Sequence, residues 1–342
     1  MSGGRIRATV LGFAGAVAVF ALLFYLVGVD DLVSELARAD TRIVLVVCLA
    51  VLGWLAAWSV SLHTVLSVLG VPLSRGRAFL LFAGATFSNN VTPFGQAGGE
   101  PVTALLISQV TDAEYETGLA AIASVDTINF VPSITLALFG VGYYATEFAL
   151  GRNVATVIAA VAVLAVGVPA LVYAGWQRRY RLESRVIDAL TPLIRRLGRA
   201  IPRLSPPSPE AIERRITGFF TAIERVATDR RNIAVALGFS AFGWLLQVVA
   251  LYLAFTAIGS QVSFALALFV VPIGAIAGVT PLPGGAGGIE SVLVFLLVAA
   301  TGPAVGPQTA AAAVIIYRGA VYWIPVVLGG AVTGVVSVRG RV

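Results

Sequence analysis

The chain has 342 residues, 58% hydrophobic and only 12% charged, with a mean hydropathy of +0.93. Soluble domains carry about 25% charged residues, so this composition describes an integral membrane protein. The formal charge is +6, carried on the basic side by arginine alone; a single cysteine, Cys48, and a single histidine, His63, argue against a disulfide, a cysteine metal site or a zinc enzyme.

In chain order, six apolar runs reach the roughly 20 residues that cross a hydrocarbon core of about 30 Å: 8–29, 43–69, 118–146, 154–175, 232–259 and 309–337. The first begins after Arg5 and Arg7 and continues to about Val29 without a small-residue cleavage site, which predicts a retained helix and not a signal peptide. Between these runs, regions 78–110 and 264–302 hold apolar halves on either side of a short polar interruption. The two interruptions are copies of one motif, Pro93-Phe-Gly95-Gln-Ala-Gly98-Gly99-Glu100 and Pro283-Gly-Gly285-Ala-Gly-Gly288-Ile-Glu290. A half such as 264–279 spans only about 24 Å before Pro281 and Pro283 stop it, so each region reads as a hairpin that enters and leaves by one face.

Arginine placement supports that reading. With the N-terminus in the cytoplasm, Arg5, Arg7, Arg75, Arg77, the thirteen arginines of 176–231, Arg339 and Arg341 fall inside, nineteen against Arg38, Arg42 and Arg152 outside. Single crossings in place of hairpins give at best fifteen against seven. The predicted fold is therefore all-α, with six full transmembrane helices plus two re-entrant helical hairpins in an inverted-topology repeat, and both termini cytoplasmic in the cell membrane. The units are an N-terminal membrane half (1–175), a basic cytoplasmic amphipathic connector (176–231) and a C-terminal membrane half (232–342). Close helix packing through small residues is the other origin for two glycine-rich turns.

In the connector, Leu182, Val186, Leu190, Ile194 and Leu197 form one stripe; after Ser208-Pro209, Ile212, Ile216, Phe219, Ile223 and Val226 form another. Basic amphipathic helices of this kind lie on anionic membrane surfaces; a plain connector that fixes topology is the alternative. Nucleic acid is not an expected partner for a segment tethered at both ends to the bilayer.

Irregular backbone at membrane depth survives only where protein or water satisfies it, and paired interruptions in two halves mark the binding region of transporter-like proteins. The second half-helices are expected to start at Glu100-Pro101 and Glu290-Ser291, with free amides able to hold a phosphate or carboxylate. Each glutamate either caps its own helix or faces a polar cavity as a titratable or cation-binding group. Ser88, Asn89, Asn90, Thr92 and Thr280 lie just before the turns, and Asp126 and Asn129 share a face of 118–146. Arg318, beside Tyr317, either bridges to Glu290 or Asp126 or holds a lipid phosphate. Gln247 and His63 are expected as satisfied interhelical hydrogen bonders.

The strings Gly98-Gly99-Glu100-Pro101-Val-Thr-Ala-Leu and Pro281 to Glu290, with Tyr317-Arg318 and Tyr322-Trp323-Ile-Pro325, resemble the flippase-like family that includes the transmembrane region of bacterial lysylphosphatidylglycerol synthases. The resemblance spans essentially the whole chain. It implies translocation of a lipid, in the best-known members aminoacylated phosphatidylglycerol, and implicates Glu100, Glu290 and Arg318. Those members carry a soluble aminoacyl-transferring domain after the membrane region, and other relatives accompany glycosyltransferase domains. Neither is read here up to Val342, so the resemblance implies membrane phospholipids and a separate lipid-modifying synthase as partners, and association into a homo-oligomer is left open. The leading expectation is a lipid flippase or scramblase-like transporter without cofactor or catalysis. A small-solute or ion transporter shares the same features, and a membrane-embedded lipid-linked transferase ranks third, for want of metal-spaced acids, an activated nucleophile or a phosphate loop.

Overall fold

The computed structural model describes residues 28–92, 94–147, 173–200, 208–280 and 282–339, with scattered positions in 15–25 and 163–171. Among the described residues there are eleven α-helices and no strand. They are α1 (Val29–Ala37), α2 (Thr41–Val68), α3 (Arg75–Val91), α4 (Gln96–Thr111), α5 (Tyr115–Glu147), α6 (Arg179–Ala200), α7 (Pro209–Thr228), α8 (Arg230–Ala257), α9 (Phe264–Ile276), α10 (Gly288–Thr301) and α11 (Pro307–Arg339). Local sequence starts several of them. Asp40, Ser74, Ser208 and Asp229 each turn a side-chain oxygen onto the amide of Arg42, Arg77, Ala211 and Asn232, respectively, filling donors that a helix start leaves free.

Five described segments are long and apolar enough to cross a membrane: α2, α5 as far as Tyr144, α8, Pro283–Ala304, and α11 as far as Gly334. Four coincide with expected spans. The other two expected spans, 8–29 and 154–175, lie largely outside the described residues. Pro283–Ala304 was expected as the second arm of a hairpin. Its length qualifies only because a 3₁₀ turn at each end is counted with α10, which alone has 14 residues and is about 21 Å long.

The centre of the fold is the antiparallel pair α2 and α8. The Asp40 amide donates to the Ala257 carbonyl (2.8 Å), and farther along the Trp58 indole donates to the Ser240 carbonyl (3.1 Å). Trp58 sits edge-on to both Trp54 and Trp244, each at 5.4 Å between ring centres. Val47, Val51, Leu55, Leu62 and Leu66 of α2 are buried with Val248, Leu251 and Phe255 of α8. Lipid is as apolar as these side chains, so interdigitation and the interhelical hydrogen bonds hold the seam together, with little help from water exclusion.

Two helical hairpins flank this pair. In the first, α3 and α4 run out and back, and Arg77 at the open end donates through Nη2 to the Val110 carbonyl (2.7 Å). In the second, α9 and α10 are joined through 3₁₀ turns at Ala277–Val279 and Pro283–Gly285. The end of α5 closes its mouth. The Tyr144 hydroxyl donates to the Ala300 carbonyl (2.8 Å), while Gly140 backs onto Ala265, Leu268 and Phe269.

The packing is reciprocal. α3 lies on α11, and α9 lies on α5. Gly329 of α11 meets the Ala83 carbonyl of α3, and Gly140 of α5 meets the backbone of Ala265 and Phe269 of α9. A Cβ at either glycine would overlap backbone, which has no rotamer by which to yield.

The two amphipathic stretches form helices as expected but differ in what they cover. α7 packs along α5, burying Ile212, Ala222 and Val226, with Gly218 beside Glu116. Its apolar stripe therefore covers protein and not a membrane surface. α6 keeps Leu182, Leu190 and Leu193 exposed. It is tied to α7 by Arg179, which pairs with Glu224 (3.2 Å) and stacks over the Trp176 and Tyr180 rings.

The close approach at Gly329 can be tested. Gly329→Val should destabilise the protein by about 1–3 kcal/mol, the usual range for overpacking, read as a lower melting temperature in detergent. Gly334→Ala, where a Cβ meets nothing within 4 Å, should leave it unchanged.

Candidate functional site

The two motif copies share positive φ at two aligned positions. Phe94 and Gly95 have φ of 66° and 52°, and the aligned Gly284 and Gly285 have 57° and 66°. Both pairs thus occupy the left-handed region, which glycine enters freely and phenylalanine does not. The turns also meet. Gly95 lies against the Gly278 carbonyl, 3.0 Å from where a Cβ would sit. Gly284 lies against the Asn90 backbone and the Tyr322 ring. Asn90 and Tyr322 close the contact with two bonds: Asn90 Nδ2 donates to the Tyr322 carbonyl (3.2 Å), and the Tyr322 hydroxyl donates to the Asn90 carbonyl (3.1 Å).

Beneath this junction, Glu290 is 3% exposed and does two jobs. Its Oε2 accepts from the Gly287 amide (2.6 Å), capping α10, and its Oε1 accepts from Arg318 Nε (2.8 Å). Both sequence-derived roles, cap and ion-pair partner, are therefore filled by one carboxylate. Arg318 also donates through Nη2 to the Gly284 carbonyl (3.2 Å), so one guanidinium joins α11, the turn and the helix beyond it. Of its two expected acidic partners, Glu290 is the one it meets. Arg318 lies eleven residues beyond Pro307, about 16 Å along α11, well inside that candidate span. The neighbouring Tyr317 is buried and donates to Gln247 Oε1 of α8 (3.1 Å), as expected for Gln247.

The first copy is built differently. α4 starts at Gln96, not at Glu100-Pro101, and Pro101 lies inside the helix. Glu100 is therefore in the second turn and is not a cap. It neighbours Asp126 of α5, as does Gln96. Oδ2 of Asp126 is buried without a partner among the described residues. Asn89 packs against Gly99, its Oδ1 likewise buried and unpartnered. α10 also starts earlier than expected, at Gly288, two residues before Glu290. Pro283 and Gly285 are buried, and a Cβ at Gly288 would lie 3.1 Å from the Thr280 methyl; Gly98 is half-buried at the start of α4. Pro93 lies outside the described residues.

Asp126 and Asn129 do not act together. Asn129 belongs to the α5–α8 interface, where its Oδ1 accepts from the Ser240 hydroxyl (2.6 Å) and its carbonyl from the Trp244 indole (2.9 Å). Three residues on a helix are about 300° of rotation, enough to turn neighbours toward different partners. His63, expected to be satisfied, keeps a buried Nδ1 without a partner among the described residues. The sequence reading missed Gln96 and Tyr322. Gln96 is the polar residue of the first motif where the second has Ala286, and Tyr322 stands four after Arg318, the spacing that stacks side chains on one helix face.

With this geometry in view, comparison with known sequences decides the family. The profile described as the lysylphosphatidylglycerol synthase TM region matches residues 9–329. The chain belongs to the lysylphosphatidylglycerol synthase transmembrane-region family. Similar proteins include a UPF0104 membrane protein of Methanothermobacter thermautotrophicus, 25% identical over 332 residues and 94% of each chain. Another is a UPF0104 membrane protein of Pyrococcus horikoshii, 24% identical over 325 residues, 92% of this chain and 93% of its own. In this member of the lysylphosphatidylglycerol synthase transmembrane-region family, both motif copies and Arg318 fall within the matched region.

The ion pair gives a stability prediction. Arg318→Met alone leaves a buried carboxylate unpaired and should destabilise by about 3–5 kcal/mol, while adding Glu290→Gln should recover part of that loss. Thermal unfolding in detergent, with wild type alongside, reads the difference.

Proposed function

We propose that the chain is a lipid flippase or scramblase-like transporter, moving the head group of an anionic or aminoacylated phospholipid between leaflets of the cell membrane. The observation that carries this reading is the junction of two polar hairpin turns over the buried Arg318–Glu290 pair. A guanidinium bonded to a carboxylate and a turn carbonyl is a phosphate site held closed by internal ligands. A lipid phosphate would take the place of Glu290 on Arg318, and releasing that carboxylate would free the Gly287 amide and loosen the start of α10. Binding and rearrangement are thereby linked through one side chain. Family membership supports lipid as the cargo, because the matching profile is named for the membrane region of a lipid-modifying synthase.

In this reading the two hairpins are re-entrant, one opening to the cytoplasm and the other to the outside. Segments α2–α5 and α8–α11 are the inverted repeats, joined by the connector 176–231, with six full spans. Three observations support it. α2 and α8 are antiparallel, the hairpins exchange partners between halves, and the copied turns share positive φ at two aligned positions. The protein needs no catalytic residue or cofactor for this work, and without a phosphate-loop motif the movement runs downhill or on an ion gradient.

Reconstituted in liposomes with head-group-labelled phosphatidylglycerol and an impermeant quencher, the wild type should accelerate loss of inner-leaflet protection. Arg318→Ala and Glu290→Gln proteins that still elute as folded species should be slower by about tenfold or more, since each loses a charge-assisted bond of about 1.5–3 kcal/mol. Wild-type rates in both would overturn the reading.

The inverted arrangement has its own test. In a Cys48→Ala background, Glu114→Cys at the mouth of the first hairpin should react with an impermeant maleimide from the cytoplasmic face. Gln261→Cys, just before the second hairpin, should react from the opposite face. Reaction of both from one face would exclude it.

A further inference from the structure

Of the two amphipathic helices in the connector, α7 turns its apolar stripe onto α5, whereas α6 leaves part of its own uncovered. The sequence of α6 holds six arginines against two acids. One side of the helix belongs to α7. There Arg179 pairs with Glu224 (3.2 Å), the Thr217 hydroxyl donates to Glu183 (2.7 Å), and Val186, Ile187 and Ile194 are half-buried.

The next strip around α6 is apolar and open. Leu182, Ala189 and Leu193 follow one another at seven and four residues, spacings that keep side chains on one helix face. All three are exposed, Leu193 by 50%, and Leu190 beside them is exposed as well. The border of the strip away from α7 is basic. Arg185 and Arg196 each stand three residues after a leucine of the strip, and Arg181 stands four before Arg185, so the guanidiniums line one edge. All three are exposed, and neither salt bridge among the described residues involves them. Asp188, the second acid, is exposed beyond the arginines, on the side turned away from the strip.

An apolar strip edged by arginine matches the boundary between acyl chains and anionic head groups. Leucine sinks below head-group level there, while a guanidinium reaches phosphate with its stem laid along apolar surface. A protein partner fits less well. A stable interface buries about 800 Å² on each partner, and a strip one side chain wide falls short of that. The chain entering α6 points the same way. Tyr173 and Tyr180 are exposed, with Trp176 between them, on either side of a turn at Arg178 that precedes α6. Tyrosine and tryptophan gather at head-group depth.

We propose that α6 docks lengthwise on an anionic lipid surface, with Leu182, Ala189 and Leu193 at the acyl boundary and Arg181, Arg185 and Arg196 on head-group phosphates. α7 is then the link. Held to α6 at Arg179–Glu224 and Glu183–Thr217, and packed along α5, it joins the docked helix to the bundle. This surface is separate from Arg318 and from both motif turns, and it stands whether or not the protein moves lipid.

The test uses the full chain in a Cys48→Ala background, with one nitroxide at Leu193→Cys or Asp188→Cys. Nanodiscs are made of phosphatidylcholine with or without phosphatidylglycerol. Collisions with oxygen, which partitions into lipid, and with a water-soluble nickel complex read the depth of each label. With phosphatidylglycerol present, the Leu193 label should favour oxygen and the Asp188 label nickel. Arg181→Gln, Arg185→Gln or Arg196→Gln should each lower the docked-to-undocked ratio about fivefold, and added salt should lower it too. Equal nickel access for both labels in the anionic discs would overturn the proposal. So would a Leu193 label equally deep in both disc types and indifferent to the arginine substitutions, since lipid contact would then lack charge recognition. Shielding of Leu193 only in discs that hold two copies, with spin–spin broadening, would assign the strip to a second copy and overturn it as well. The readout follows one helix while no lipid moves, so its failure is separable from failure of the translocation assay.

Discussion

The Glu290 carboxylate is the point on which the rest of the structure depends. A turn buried among helices must satisfy its own amides and carbonyls, because lipid offers no replacement for water. Glu290 takes the Gly287 amide with one oxygen and Arg318 with the other, and Arg318 in turn takes the Gly284 carbonyl. Three pieces of chain that would be unsatisfied separately are satisfied together. The left-handed turn then has a fixed place on α11, which lets Tyr322 and Asn90 exchange hydrogen bonds with the first hairpin.

From that anchor the asymmetry of the molecule follows. The second turn is stapled by charge and capping, and its helix starts at Gly288. Among the described residues the first turn has no such staple. α4 begins earlier, at Gln96, and carries Pro101 inside it. An interior proline removes one backbone bond and pushes the preceding turn aside, so the start of α4 is the weaker of the two. The same motif therefore yields one turn fixed by an ion pair and one without such a pair among the described residues.

Much of this was legible in the sequence. The gapless alignment of the two turns located the junction, and arginine placement anticipated hairpins whose arms return to one end, as the Arg77–Val110 bond shows for the first. The sequence marks Arg318 and Glu290 as charges within apolar segments and as one of two possible ion pairs. The rest was hidden for physical reasons. Helix starts at Gln96 and Gly288 depend on backbone angles that composition does not encode. The divergence of Asp126 from Asn129 depends on which neighbour each side of α5 meets, α4 or α8. The stripe on α7 reads the same whether it covers lipid or α5, since both are apolar; only the fold chooses.

Consider finally the glycines at the reciprocal contacts, Gly140 on α5 and Gly329 on α11. Helices seated backbone to backbone have no intervening side chains that could roll or ratchet past one another, so each pair travels as a single body. The first hairpin is thereby yoked to the last helix of the opposite half, and the second hairpin to α5. Rocking that opened one side of the junction would drag part of the other half with it. The coupling between the two hairpins is thus set by where the chain lacks a methyl group.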